Sequence, residues 1–150
     1  MKILVCISHV PDTTSKINFT DNNKSFDNSG IQYIINPNDE FGLTKAVWMK
    51  ETHKAEVVVA SVGEVSCEST LRKCLAIGAD RAIRVNMNPL DGFSVAKQLV
   101  EICEKEKFSL IIAGRESIDY NGGMVPGIIA ELMNYNYVAN CISLEIDQNK

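Results

Sequence analysis

Residues 56–62 read Glu-Val-Val-Val-Ala-Ser-Val, with Val57, Val58, Val59 and Ala60 in an unbroken apolar row. A strand that is wet on one face alternates polar and apolar residues, whereas a row without alternation is covered on both faces. Covering both faces of a sheet requires helices on each side, so the rest of the chain must supply strands and helices in turn. It does. Residues 2–7 form a β-rich first strand, and a helix with Leu43, Ala46 and Val47 at helical spacing opens behind Asn36 and Pro37. Ser69, Leu71, Leu75 and Ala76 lie on a second helix stopped by Gly78, and Arg81-Ala82-Ile83-Arg84-Val85 follows as a third strand. Asp91 is placed to cap a third helix carrying Val95, Leu99, Val100 and Cys103. Residues 108–113 read as a fourth strand and 128–133 as a helix; 137–141 read as a fifth strand, with 142–146 continuing it or forming a sixth. The expectation is an α/β fold, a doubly wound and mostly parallel sheet with right-handed crossovers.

At 150 residues the chain is long enough for one well-buried core and short for two, so a single domain over 1–150 is expected. An apolar fraction of 45% and a charged fraction of 23% are those of a soluble globular protein. A net charge of -4 with no basic run argues against nucleic acid as a partner. The apolar run at the amino end is a strand's length and is broken by Ser8 and His9, unlike a secretory signal, and no run approaches a membrane span. The five cysteines, Cys6, Cys67, Cys74, Cys103 and Cys141, are scattered and never spaced C-x-x-C; buried or half-buried thiols in a reducing compartment, the cytoplasm, account for them better than disulfides or a metal site.

Chemistry concentrates after the fourth strand, in Gly114-Arg115-Glu116-Ser117-Ile118-Asp119-Tyr120-Asn121-Gly122-Gly123-Met124-Val125. A strand that feeds a helix through glycines presents free backbone N–H groups at the positive end of a helix dipole, where phosphate binds readily. A purely architectural reading stands beside it: Gly114 ends the strand, Gly122 and Gly123 make the turn, and Pro126 suits a first helical turn. Neither G-x-G-x-x-G nor G-x-x-x-x-G-K-[ST] is present. Asn36 reads as a helix cap, Pro37 as the first helical residue, and Asp39 with Glu40 as complements to the dipole. Residues 15–33 are polar and read as a small hairpin or a surface excursion. Ser8, His9 and Asp12 are the residue types of a hydrolytic triad, but they crowd one loop and cannot take its geometry. In doubly wound sheets ligands bind outside the carboxyl ends of the strands, where the strand order reverses. With strands one and four as neighbours, one crevice there collects residues 6–12, 36–39, 61–63 and 114–125.

Several of these segments together resemble the β subunit of electron transfer flavoproteins: Val10-Pro11-Asp12-Thr13, Asn36-Pro37-Asn38-Asp39-Glu40, residues 71–82 from Leu71 to Ala82, and Gly114 to Tyr120. The resemblance runs from Met1 to about Asp147. It implies a Rossmann-like, three-layer architecture of the adenine-nucleotide α-hydrolase and stress-protein kind. It also implies an αβ heterodimer carrying FAD mainly on the α subunit, and passing electrons from flavin dehydrogenases to a quinone reductase or similar acceptor. In ordinary members the β subunit holds a structural AMP, and in bifurcating members the same pocket takes a second FAD. Carried over by position, the AMP contacts fall on Cys6, on Asn36, Pro37, Asn38 and Asp39, on Val62, and on the twelve residues from Gly114 to Val125. The chain departs from relatives at Ser8, where many carry a basic residue, and at Gly122, Gly123 and Met124, where many carry Thr or Gln. Phosphate contacts are therefore expected from backbone N–H groups. Family β subunits continue past the position of Lys150, so a fragment or truncated chain lacking the family's C-terminal segment is expected.

The resemblance implies no catalytic residue of its own. A rival from another class is a free-standing ATP-binding regulatory module of the universal-stress type, which usually carries a glycine-rich phosphate motif ending in Gly-Ser or Gly-Thr that is absent here. A hydrolase or synthetase on the same fold has no clustered catalytic set to support it.

Overall fold

The computed structural model describes residues 1–147. Its central sheet has four strands in the order β7-β6-β1-β8, all parallel: Arg81–Val85 (β7), Glu56–Val62 (β6), Lys2–Cys6 (β1) and Leu110–Ile112 (β8). The register sets Cys6 beside Ala60, Val5 beside Ile112 and Val62 beside Val85, which aligns the carboxyl ends of the strands along one edge. The chain builds outward from β1 through β6 to β7, then returns to the opposite side of β1 for β8. The strand order therefore reverses between β1 and β8, as the crevice expectation required.

The unbroken apolar row has the consequence the sequence demanded. Ile3, Val5, Val57 and Val59 pack with Leu43, Ala46 and Met49 of Pro37–His53 (α1) and with Leu71 and Cys74 of Glu68–Ile77 (α2). Leu4, Cys6, Val58 and Ala60 face the other way, against Ala96, Leu99 and Cys103 of Gly92–Glu106 (α3) and Ile129 of Val125–Met133 (α4). Neighbouring strand residues thus feed opposite cores, giving three layers. Each fully buried valine contributes about 1.5–3 kcal/mol of apolar transfer.

Between β1 and α1 the polar stretch forms two small ribbons. His9–Pro11 (β2) pairs antiparallel with Tyr33–Ile35 (β5), and Phe19–Thr20 (β3) pairs with Ser25–Phe26 (β4) in an exposed hairpin. At the amino edge of the sheet Lys2 and Arg81 both pair with Glu106, and Arg81 also pairs with Glu56 at 2.9 Å. Helix α3 starts in a capping box: the Asp91 carboxylate accepts the Ser94 N–H at 2.7 Å and Ser94 Oγ accepts the Asp91 N–H at 3.2 Å.

Three expectations are corrected. Helix α4 begins at Val125, three residues before the apolar run, because Pro126 fits its first turn. Asn36 does not cap α1 with its side chain, which is spent elsewhere. The strands expected at 137–141 and 142–146 do not form: residues 134–147 contain no strand, and Tyr137, Val138 and Ile142 are exposed. Helix α4 lies on the α3 side of the sheet, whereas Leu144 and Ile146 pack against the α1 side. The segment therefore passes around the β8 edge instead of along it. β-Branched and aromatic residues favour a strand only where a pairing edge and a covering face are both supplied.

Candidate functional site

The carboxyl edge of the sheet opens into a crevice of about 470 Å³ between β1 and β8. Cys6 and Ala60 line it from the strand ends, and Ser61, Val62 and Gly63 continue it along β6. Burial pushes the Cys6 thiol far above its ordinary value, with Cys103 and Asp39 adding to the effect, so Cys6 presents a small, neutral surface.

Asp39, in the first turn of α1, closes the top of this opening. Its Oδ2 accepts the backbone N–H of Ser8 at 2.8 Å and its Oδ1 accepts that of Gly114 at 2.9 Å, so one carboxylate ties the chain leaving β1 to the chain leaving β8. Asp39 is 4% exposed, and burial raises its carboxyl to about 6 although the Ser8 and Gly114 N–H groups pull the other way. Gly114 is required by this approach: a Cβ there would sit 2.3 Å from Asp39 Oδ1 and 2.8 Å from the Asn38 carbonyl carbon.

The loop beyond Gly114 is held from behind. Asn36 is fully buried; its Nδ2 donates to the Glu116 carbonyl at 2.8 Å and its Oδ1 accepts the Ile118 N–H at 3.2 Å. Asn38 Nδ2 donates to the same carbonyl at 2.9 Å. The Ser117 N–H donates to the Gly122 carbonyl at 3.0 Å, closing a small hairpin whose turn contains Asn121 at φ 57, a left-handed conformation that Asn tolerates. Pro37 occupies the first turn of α1, and Arg115 pairs with Glu116. Gly123 lies against the Arg115 carbonyl, where a Cβ would come within 3.1 Å, and Met124 precedes α4 with its side chain over Gly92.

Of the residues expected at the site, Cys6, Asp39, Val62, Gly114, Glu116, Ser117, Asp119, Tyr120, Gly122 and Val125 line the crevice. Asn36, Pro37, Asn38, Arg115, Ile118, Asn121, Gly123 and Met124 stand outside that lining. The crevice also takes in residues outside that expectation. Glu64, Asn88 and Pro89 follow β6 and β7, and extending the strand-end rule to those two strands would have found them. His9, expected in the crevice with residues 6–12 though not as a nucleotide contact, brings Tyr33 with it because β2 pairs with β5, which stacks their rings with centroids 4.2 Å apart. Nothing in the local sequence announces that pairing.

Two buried side-chain atoms at this crevice, Ser117 Oγ and His9 Nε2, have no hydrogen-bond partner among the described residues. Native structures leave few such atoms, and each calls for an explanation. Asp39, Glu64, Glu116 and Asp119 are the carboxylates of the lining, and among the described residues no lysine or arginine joins them. Among the described residues no group of three or more His, Cys, Asp or Glu side chains is placed to hold a metal ion, and no helix is long and apolar enough to cross a membrane.

The class defined by this architecture is a three-layer parallel α/β protein with a crevice at the strand-order reversal. Residues 24–150 match the electron transfer flavoprotein domain, and the chain belongs to that family. It is 32% identical over 149 residues to the electron transfer flavoprotein subunit beta of Bradyrhizobium diazoefficiens, covering 98% of this chain and 60% of that one. The subunit beta of Syntrophomonas wolfei is 34% identical over 152 residues, covering 100% of this chain and 60% of its own length. The human subunit beta is 30% identical over 158 residues, with 100% and 62% covered. The chain thus spans about three fifths of the length of these relatives.

Proposed function

We propose that this chain is the nucleotide-holding part of an electron transfer flavoprotein β subunit and that its crevice receives AMP. The observation that carries the reading is the Ser117 hydroxyl, 8% exposed by residue and without a partner among the described residues on the crevice wall. A buried polar atom in that position costs about 1–3 kcal/mol until something supplies its hydrogen bond. Cys6 and Val62 offer a flat base an apolar slot at the strand ends. Gly122 and Val125, at the entry to α4, offer backbone N–H groups and the positive end of a helix dipole to a phosphate. A lining with carboxylates and no lysine or arginine suits one phosphate held by backbone donors better than a run of several.

In this role the nucleotide is structural. It binds the folded chain only, and so stabilises it by mass action. The chain contributes no catalytic residue of its own. It pairs with an α subunit that carries most of the FAD, and the heterodimer moves electrons in the cytoplasm from flavin dehydrogenases to a quinone reductase or a similar acceptor.

The test is to denature the purified chain and identify the released small molecule by chromatography and absorbance. AMP supports the reading, FAD points to the bifurcating arrangement, and ATP favours the stress-type module. Release of no nucleotide, together with no binding of added AMP, overturns it.

A further inference from the structure

His9 is clamped on two sides. Its ring stacks on Tyr33 at an interplanar angle of 11°, and its Nδ1 lies 2.8 Å from Thr70 Oγ1. Thr70 is fully buried, and its hydroxyl proton has no acceptor among the described residues other than His9 Nδ1. If Nδ1 carried the imidazole proton, that hydroxyl would be left with a buried, unmatched O–H. Donation from Thr70 to Nδ1 satisfies both groups and puts the imidazole proton on Nε2. Burial and the nearby Lys73 lower the affinity of His9 for a second proton, so the ring is neutral with one fixed tautomer.

Nε2 is then a buried N–H donor with no acceptor among the described residues, on a residue that lines the crevice. Backbone and side-chain donors of this kind are seldom left unmatched, and the same crevice wall carries the unmatched Ser117 hydroxyl. We propose that His9 is a specificity-determining residue of the crevice, donating from Nε2 to an acceptor atom of a bound adenine nucleotide. The inference rests on the reading of the crevice as an AMP site. It adds a contact from β2, at a residue expected in the crevice but not among the nucleotide contacts. Thr70 and Tyr33 are positioning residues: the hydroxyl fixes the tautomer and the phenol ring fixes the imidazole plane.

The test measures AMP binding by titration calorimetry on the whole chain and on two variants. His9→Asn keeps a polar atom near the place of Nδ1 and removes the reach of Nε2, whereas His9→Gln places an amide N–H near Nε2. The loss of one neutral hydrogen bond lowers AMP affinity about tenfold in His9→Asn, and His9→Gln recovers most of it. Equal binding by His9→Asn and the unaltered chain overturns the proposal, as does an equal loss in both variants.

A second readout needs no variant and is safe against misfolding. In the chain labelled with 15N-histidine, saturating AMP shifts the His9 Nε2 resonance, with His53, the second of the two histidines, as internal reference. An unmoved His9 resonance under saturating AMP overturns the inference while leaving the AMP reading intact. No AMP binding by the unaltered chain overturns that reading first and this inference with it.

Discussion

The Asp39 carboxylate accepts the backbone N–H of Gly114 at 2.9 Å, joining the first turn of α1 to the end of β8. The contact exists because residue 114 has no Cβ, and a methyl group there would overlap both Asp39 Oδ1 and the Asn38 backbone. Neither neighbour can yield cheaply, since Oδ1 is hydrogen-bonded and Asn38 is part of a helix start. Gly114→Ala is therefore expected to destabilise the chain by about 2–3 kcal/mol, the range for overpacking a tight site. Urea unfolding measures it. A loss below about 1 kcal/mol would show that α1 and the end of β8 can part at this contact with little cost.

The same carboxylate sets a pH dependence. Its folded value of about 6 lies above the ordinary 3.8, so between those two values the folded chain binds a proton that the unfolded chain has released. Asp39's contribution to stability is thus fully present below the ordinary carboxyl value and is lost as pH rises through about 6. A shift of this size corresponds to roughly 3 kcal/mol. Asp39→Asn removes the titration but offers one oxygen where two N–H groups need acceptors. The stability difference between the unaltered chain and Asp39→Asn should shrink as pH is raised from 4 to 7 in a series of denaturant melts, and a difference independent of pH would refute the assignment.

Asn36 holds the crevice loop at the Glu116 carbonyl and the Ile118 N–H, with its amide entirely buried. Asn36→Ala leaves the Ile118 N–H without its acceptor, while the Glu116 carbonyl keeps Asn38. The expected cost is about 2–3 kcal/mol for the lost pair and the stranded donor. Hydrogen exchange localises it: the Ile118 amide should exchange faster even under conditions where the amides of β1 and β6 keep their protection. Uniform acceleration across all of them would indicate global destabilisation instead, and would remove the special role of Asn36 in the loop.

What was legible in the sequence followed short-range rules. Val57 to Ala60 announce a strand with two covered faces, Asp91 announces its own helix, and the alternation of elements announces the doubly wound sheet; that β1 lies beside β8, the condition on which the crevice rests, is given by the strand order. Asn36 matches the cap pattern because it stands before a Pro-started helix, while its actual partners lie 80 and 82 residues away, beyond any local signal. Residues 137–146 show the converse. Their composition fits a pleated surface, but pairing is decided by where the chain is carried after α4, and that is a matter of tertiary packing. The His9–Tyr33 stack depends on the register of a three-residue ribbon, which no periodicity in so short a stretch can specify.

Charge around the crevice makes a prediction about which adenine nucleotide it prefers. Glu64, Glu116 and Asp119 line it together with the buried Asp39, and the described lining itself contains no lysine or arginine. Arg115, behind the lining, pairs with Glu116 and leaves Glu64 and Asp119 as its unoffset outer carboxylates among the described residues. The entry to α4 supplies a partial positive charge of roughly half an elementary unit, enough to favour one phosphate but not to neutralise three. Each further phosphate adds repulsion from the surrounding carboxylates, which added salt screens in proportion to their exposure. AMP should therefore bind at least about tenfold more tightly than ATP at low ionic strength, and the gap should narrow as salt is raised while AMP affinity changes little. Titration calorimetry at two salt concentrations decides it. ATP binding as tight as AMP would mean that the phosphates leave the crevice away from Glu116 and Asp119, and the placement of the phosphate at α4 would have to be abandoned.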